Sequence, residues 1–448
     1  MVSKNVVIML YYCRDCKYSV YSLISTLESR VKDVDVYIAD RKTFFKVYSN
    51  VVSKYRWVVV GFSFMTTMLP SLLNFLKNVF RFKRSNTVFI AGGSHPSGDP
   101  VGTLDLGFDY VFAGEAEHSI VDFVNSLVEG GDVFKVKGIV YRDESGEYVF
   151  TGKPKLAELD DYPAFPYWRR MFNPIEISRG CPFRCTYCQV PFLHGFYMRH
   201  RSIDNILHYA RIFWGKGLRD LRFISPNSLA YGTPYGSKPS PEILDELLSK
   251  LKTMANSYGG RFFYGTFPSE VRPDFVNEDT AMVLKKYVSN KKVIIGAQSG
   301  SDKMLKFLNR GHTVEEVLNA VEVLSKYGFQ VDVDFIFGLP GETEEDIEET
   351  IKVMEKIVKM GGRIHTHTFL PLPGSPLESG PPGKIPLKIK KFVMKICGKG
   401  MAYGDWLKQE KLAETIDELR KKHVIKIEMK NKIRVWKTSK EHININTM

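Results

Sequence analysis

The 448-residue chain has no apolar run near the roughly 20 residues that cross a bilayer; its longest, such as Trp57 to Met65, stop far short. The N-terminal stretch "VVIMLYYCRD" lacks the small-residue cleavage site of a secretory signal. Both absences predict a cytoplasmic chain with no membrane span. Cysteine is scarce too: there are six, three of them within eight residues, which is not a secreted disulfide framework and favours a reducing compartment. Low-complexity segments and long internal repeats are missing. Positive charge is plentiful overall at +13, yet residues 384–448 hold 17 Lys/Arg against 7 Asp/Glu, so +10 of it sits there. A basic appendage on a nearly neutral body predicts a polyanionic partner, RNA first, with Tyr403 and Trp406 available for stacking. The alternatives are a solvated lysine-rich face and, for Trp406, a packing role.

What is present is an alternation of β-branched runs with helical stretches, which predicts an α/β protein. In residues 1–130 the runs "NVVIML", "VDVYIAD", "WVVVGFS", "TVFIAGG" and "DYVFAGE" predict a doubly wound parallel sheet. Several end in Gly, Ser or His, placing polar residues at the carboxyl edge where open sheets bind ligands. Residues 131–172, with the hairpin-like "GIVYRDESGEYVF" and the proline-bearing "LDDYPAFPYW", read as a connector. Six further strands in residues 173–383, from "NPIEISRG" to "RIHTHTFLP", predict a partial (β/α)6 barrel with its functional groups on the loops after the strands. Residues 384–448 form a basic C-terminal extension: a helix over "WLKQEKLAETIDELRKKH", then a short strand or extended tail.

The first barrel strand runs into "SRGCPFRCTYCQV", which sets Cys181, Cys185 and Cys188 in a C-x3-C-x2-C pattern. Three thiols leave a structural zinc site one ligand short and a disulfide count odd. They suit a [4Fe–4S] cluster with one iron left open. A Cys3His zinc site completed by His194 or His200 is the alternative, and it would make the chain a non-enzymatic nucleic-acid-binding protein.

The cysteine run, with Tyr187 before its last cysteine, resembles the signature of radical S-adenosylmethionine (SAM) enzymes. The likeness covers about residues 173–378, where "GAQSGSDKMLKFLNRGHTVEEV", "DFIFGLPGETEEDIEET" and "FLPLPGSPLE" resemble the strand-end motifs of the branch holding the methylthiotransferases and the cobalamin-dependent methylases. It implies that SAM chelates the open iron at Cys181, Cys185 and Cys188 and is cleaved to a deoxyadenosyl radical. It further implies that Gln298, Ser299 and Gly300 line the cofactor, that Gly338, Pro340 and Gly341 lie against adenine, and that Glu270 and Arg272 approach ribose and carboxylate. Ser225 or Asn227 takes the place of the family's amino-group motif, where this chain has "ISPNS" and no Gly-Gly-Glu. Each motif read alone is also an ordinary turn, and Thr343 in "GLPGET" a helix cap.

"GFSFMTTMLPSL", "IAGGSHPSGDP" and "YVFAGEAEHSIVDFV" resemble the cobalamin-binding domain that precedes many such barrels. The resemblance assigns Gly61, Ser63, Thr66, Thr67, Gly92, Gly93, His95, Gly114 and Glu115 to cobalamin. The D-x-H-x-x-G loop that supplies a lower histidine to cobalt is absent; "YYCRDCKYS" stands there, and His95 is expected to shape the loop instead. Cys13 and Cys16 read as plain thiols, as a redox pair, or with Cys397 as a second cluster site. His365 and His367 share one strand face, as core or rim residues or as acid/base groups. The combined expectation is a cobalamin-dependent radical SAM C-methyltransferase served by a donor such as ferredoxin or flavodoxin. Methylthiotransferase-like sulfur insertion into RNA or protein is the rival, although methylthiotransferases carry three N-terminal cysteines and this chain has two.

Overall fold

The computed structural model describes residues 5–435. Its N-terminal sheet begins with β1 (Val6–Tyr11), β2 (Asp35–Ala39), β3 (Trp57–Ser63), β4 (Thr87–Gly92) and β5 (Tyr110–Phe112), all parallel. β1 and the last six residues of β3 are buried throughout, as continuous apolar runs with helices on both faces must be. The order β5-β4-β3-β1-β2 reverses direction beside β1, which opens a crevice at the carboxyl ends of β1 and β3. The expected hairpin forms as β6 (Ile139–Arg142) and β7 (Tyr148–Phe150), and it extends this sheet antiparallel to β5. The connector between domains is therefore shorter than the composition suggested.

The second unit starts at β8 (Ile175–Glu176). A small antiparallel pair follows, β9 (Ser178–Arg179) with β10 (Arg199–His200), then β11 (Asp220–Ile224), β12 (Arg261–Phe263), β13 (Lys292–Gln298), β14 (Gln330–Phe337) and β15 (Arg363–Thr368). β8, β11 and β12 pair in parallel, as do β13, β14 and β15, and the bridge Val271↔Ile295 joins the two arcs. These are the six barrel strands expected. Helices Val314–Lys326 and Glu344–Lys359 start at capping boxes, Thr313 with Glu316 and Thr343 with Asp346. Their apolar stripes pack on Val331, Val333, Phe335 and Ile364, so the alternate residues of β14 and β15 face the barrel lumen.

The C-terminal extension is built into both domains. Its β16 (Ala402–Tyr403) adds to the barrel beside β15, and β17 (Arg434–Val435) adds to the first sheet beside β7. Helix Trp406–Lys421 buries Trp406 in the barrel core and Ile416 and Leu419 in the N-terminal core. Trp406 is thus a packing residue, and Tyr403 donates its hydroxyl to Asp332 at 2.8 Å; neither is free to stack on RNA. Lys426, Lys430 and Arg434 pair with Asp105, Glu378 and Asp143. The part of the extension beyond Val435 lies outside the described residues. No described helix is long and apolar enough to cross a membrane.

Candidate active site

The chain leaves β9 through Gly180 at φ +86°, where a Cβ would stand 2.2 Å from the Tyr197 carbonyl; only glycine fits. The cysteine loop that follows is tied down on several sides. Cys181 N donates to Gly195 O at 3.1 Å, Thr186 N to Leu308 O at 3.0 Å, and Leu377 N to Thr186 O at 3.0 Å. Arg310, buried, donates from Nη1 to Cys185 Sγ at 3.4 Å and to the Tyr187 hydroxyl at 3.0 Å, and from Nη2 to Gly296 O at 2.6 Å. Arg272 lies 3.5 Å over the Phe183 ring, and its Nη2 donates to Asp274 at 3.0 Å and to the Arg310 carbonyl. Burial pushes the Cys188 thiol up to about 12, ahead of repulsion from Cys185, and raises Cys181 as well. Metal coordination would overcome that and hold them as thiolates.

The zinc alternative loses one of its two candidate fourth ligands. His200 uses both ring nitrogens, on Ser178 Oγ at 2.8 Å and Thr233 O at 3.1 Å, while His194 turns to Glu115 at 3.2 Å. Sulfurs on one tetrahedral zinc sit about 3.8 Å apart. Among the described residues only Asp334, His365 and His367 bring three ligand atoms within 4.8 Å of one another. A wider set of thiols suits a cluster that offers each its own iron.

Beside this loop, Ser225 Oγ, Asn227 Nδ2, and Nε and Nη1 of Arg272 are buried without partners, and Asn227 Oδ1 accepts from Arg272 N at 3.2 Å. Such donors are costly unless a ligand satisfies them, and their chemistry fits an amino-acid carboxylate with a ribose. Gln298 sits at φ +78° in a bulge of β13. Ser299 and Gly300 turn toward the helix on Thr350: Gly300 N donates to Thr350 Oγ1 at 3.0 Å, and a Cβ there would meet Thr350 Cα at 2.5 Å. Gly338 similarly backs onto Lys384, while Gly341, at φ +76°, has open space about it. Pro340 lies beside Gly380, and Leu339, Phe369 and Tyr187 form an apolar patch next to the cysteines. Burial pushes Glu270 up to about 7, with Asp334 adding to the shift and His365 opposing it, so its carboxyl belongs with the lumen groups. Arg310 and Asp334 went unmarked in the sequence, although both stand inside the quoted motifs.

A cavity of about 330 Å³ opens at the crevice beside β1 and runs to the barrel; Ser19, Ser63, Gly93, Glu115 and Arg179 are among its walls. Ser63 Oγ donates to Ser19 Oγ at 2.9 Å. At Gly93, φ +94°, a Cβ would press to 3.0 Å on Phe64 O and Ser63 Oγ. Gly61 and Gly92 also line this cavity, as does Gly114, whose N donates to Ser97 Oγ at 2.9 Å. His95 is fully buried, bonded through Nδ1 to Thr66 Oγ1 at 3.0 Å, and burial lowers it to about 3. Its ring thus packs inside the turn, while Thr67 is exposed. Glu115, in the cavity wall, also knits the domains together, taking Arg199 Nη1 at 3.0 Å, Arg179 at 3.4 Å and Ala157 N at 2.8 Å.

A family model described as the radical SAM superfamily matches residues 175–354, and one described as a B12 binding domain matches residues 19–124. The chain carries a radical SAM domain and, ahead of it, a B12-binding domain. A radical SAM barrel holds a [4Fe–4S] cluster and SAM, and a B12-binding domain holds cobalamin; the residues above fit all three. Among curated relatives, an uncharacterized protein of Methanocaldococcus jannaschii, MJ1620, is 32% identical over 50% of this chain and 44% of its own. A tRNA-2-methylthio-N(6)-dimethylallyladenosine synthase of a Sulfurihydrogenibium species is 31% identical over 63% of this chain and 60% of its own. The chain thus spans about half the length of these relatives. Among solved structures, the radical SAM methyltransferase TsrM of Kitasatospora setae, with cobalamin and a [4Fe–4S] cluster, superposes at TM-score 0.66 and 16% identity, covering 83% of this chain and 74% of TsrM. The cobalamin-dependent radical enzyme OxsB reaches 0.63 at 18% identity, over 78% of this chain and 52% of OxsB. At such identities the likeness speaks to the fold alone.

Proposed function

We propose that this radical SAM protein is a cobalamin-dependent methyltransferase that adds a methyl group to an unactivated carbon. One observation carries the reading. Gln189, directly after the last cysteine, donates from Nε2 to Ser94 O at 3.3 Å and to Pro373 O at 2.6 Å. The cysteine loop therefore touches the Gly93-bearing turn of the B12-binding domain, a contact that would set the two cofactor sites side by side.

The cofactors would supply a hydrogen-abstracting radical and a transferable methyl group. The chain's own residues bind, orient and dry them. Cys181, Cys185 and Cys188 would hold the cluster; Asn227, Ser225 and Arg272 would bind the amino-acid end of SAM; Tyr187, Leu339 and Phe369 would pack on its adenine. Ser19, Ser63 and the glycines of β3 and β4 would take the cobalamin tail. Sulfur insertion is less well supported, because Cys397 packs against the barrel core while Cys13 and Cys16 pack in the N-terminal core, which gives no third thiol for a second cluster. Anaerobic reconstitution tests the reading: one [4Fe–4S] cluster and one cobalamin per chain, with both 5′-deoxyadenosine and S-adenosylhomocysteine formed from SAM. Two clusters with no cobalamin would sink it.

The partners in this reading are SAM, a reductant of the ferredoxin or flavodoxin kind, and RNA. For RNA the exposed cations of the extension without an ion pair among the described residues include Lys391, Lys395 and Lys399, which fall together on helix Leu387–Cys397 and just after it. Changing all three to Gln should flatten the slope of log affinity against log salt by about 2, at roughly 0.7 per phosphate contact. An unchanged slope, or no salt-sensitive RNA binding at all, removes RNA from the reading.

A further inference from the structure

The lumen face of β14 and β15 carries a cluster that cofactor binding leaves unused. Asp334 on β14 is in register with His365 on β15, and His367 follows two residues on, on the same face. His365 Nδ1 lies 2.7 Å and His367 Nε2 3.9 Å from the same oxygen, Asp334 Oδ1. Opposed imidazoles on a shared carboxylate oxygen are an N,N,O donor set. Both rings are steadied from behind. His365 stacks on Tyr403 with centroids 4.5 Å apart at 17°, and His367 Nδ1 rests 3.5 Å from Gln409 Nε2. Tyr403 is itself fixed by Asp332, and Gln409 by Thr368 N at 2.8 Å. Supports of this kind orient metal-ligating histidines. The side chains are only partly covered, at 25%, 30% and 15% exposure for His365, His367 and Asp334, so the group opens to the lumen.

We propose that Asp334, His365 and His367 bind a divalent first-row transition-metal ion, whose open positions face the lumen and take an oxygen donor of the substrate: a carboxylate, phosphate or hydroxyl. Ligand bonds of about 2.0–2.2 Å require donor atoms roughly 3–3.6 Å apart. The 3.9 Å separation of His367 from Asp334 closes to that by a small rotation of the imidazole. Two neutral imidazoles and one carboxylate leave a net positive charge on the ion, which suits an anionic oxygen donor at its open positions. The metal site stands independently of the methyltransferase reading; only the substrate's role as ligand rests on that reading.

The test uses the full chain with its cluster oxidised to [4Fe–4S]2+ and its cobalamin as cobalt(III), both silent in electron paramagnetic resonance. Mn2+ is titrated in, because it favours N and O donors over thiols, and the free Mn2+ signal is counted. One ion per chain should leave the free pool, and electron spin-echo modulation of the bound ion should show coupled nitrogen. Replacing both histidines (His365→Ala with His367→Ala), or Asp334→Asn alone, should weaken binding at least about tenfold, with iron and cobalamin content unchanged. No uptake at millimolar Mn2+, bound Mn2+ without nitrogen modulation, or uptake indifferent to all three substitutions overturns the site and leaves an Asp–His proton relay. If the variants do not fold, the nitrogen modulation of the unmodified protein decides alone. Failure of SAM cleavage, measured separately, would count against the methyltransferase reading and not against this site.

Discussion

Arg310 donates from a single nitrogen, Nη1, to the Cys185 sulfur at 3.4 Å and to the Tyr187 hydroxyl at 3.0 Å. A buried cation on a ligand sulfur favours the more negative, reduced state of a cluster. Changing Arg310 to Met should leave iron content near one cluster per chain but move the cluster's reduction potential negative. A hydrogen bond to a charged group contributes roughly 1.5–3 kcal/mol, so reductive SAM cleavage should slow about 10- to 150-fold. Changing Cys181, Cys185 or Cys188 to Ala should abolish both cluster and cleavage. Near-normal 5′-deoxyadenosine from any one of those three would refute the cluster assignment.

His95 makes the cobalamin domain sensitive to acid. Burial lowers it to about 3 from an ordinary 6.5, so the unfolded chain takes up a proton that the folded one refuses. The stability held by neutral His95 is complete above about pH 6.5 and is lost as pH falls from there toward 3, at about 1.4 kcal/mol per pH unit. Urea unfolding at pH 7 and pH 5 should show the loss, and His95→Gln should reduce it. With His95 walled off from solvent, the cobalt(II) spectrum of the bound cofactor should lack nitrogen superhyperfine splitting; an imidazole-type splitting would contradict this placement.

Glu115 is the buried joint between the domains, and its partners Arg199 and Arg179 are buried too. Burial alone would raise its carboxyl, but hydrogen bonds from His194 and Arg199 and the charge of Arg179 hold it well below the usual range. Its stabilisation is present above the unfolded carboxylate pKa and lost as pH falls through the folded one. Glu115→Gln strands buried guanidinium charge and should destabilise the protein by roughly 3–5 kcal/mol, as read by denaturant titration at neutral pH. A change under 1 kcal/mol would mean water compensates the arginines.

Cys13 and Cys16 present their sulfurs 2.7 Å apart at the start of helix Lys17–Arg30. The side-chain hydrogen bond with Cys16 brings Cys13 down to about 7, against the opposing effect of its burial. Iodoacetamide should modify Cys13 with a midpoint near pH 7. Cys16→Ala should return the thiol toward its ordinary range and slow alkylation at pH 7 roughly five- to tenfold, since lost thiolate outweighs the gain in nucleophilicity. Equal rates in the two proteins would show the pair uncoupled.

The strands and the three-cysteine loop were legible in the sequence, because both are local. Unbroken β-branched runs such as "VVIML" and "KVIIGAQ" have no stable alternative to buried parallel strands, and three thiols within eight residues meet wherever that loop folds. Glycines at 61, 92 and 93 marked the cavity at the sheet's edge for the same reason: a missing side chain is visible without a fold. Tertiary structure alone decided what depends on distant partners. Arg310 reaches Cys185 across 125 residues, and Asp334 faces His365 only through the register of β14 with β15. Glu115 lines the cavity its motif pointed to, but its ion pairs with Arg199 and Arg179 of the barrel are visible only in the fold. The basic extension read as an appendage because net charge counts cations and not their neighbours. Folded, Lys426, Lys430 and Arg434 meet carboxylates from more than 50 residues away, and its two short strands close the edges of both sheets.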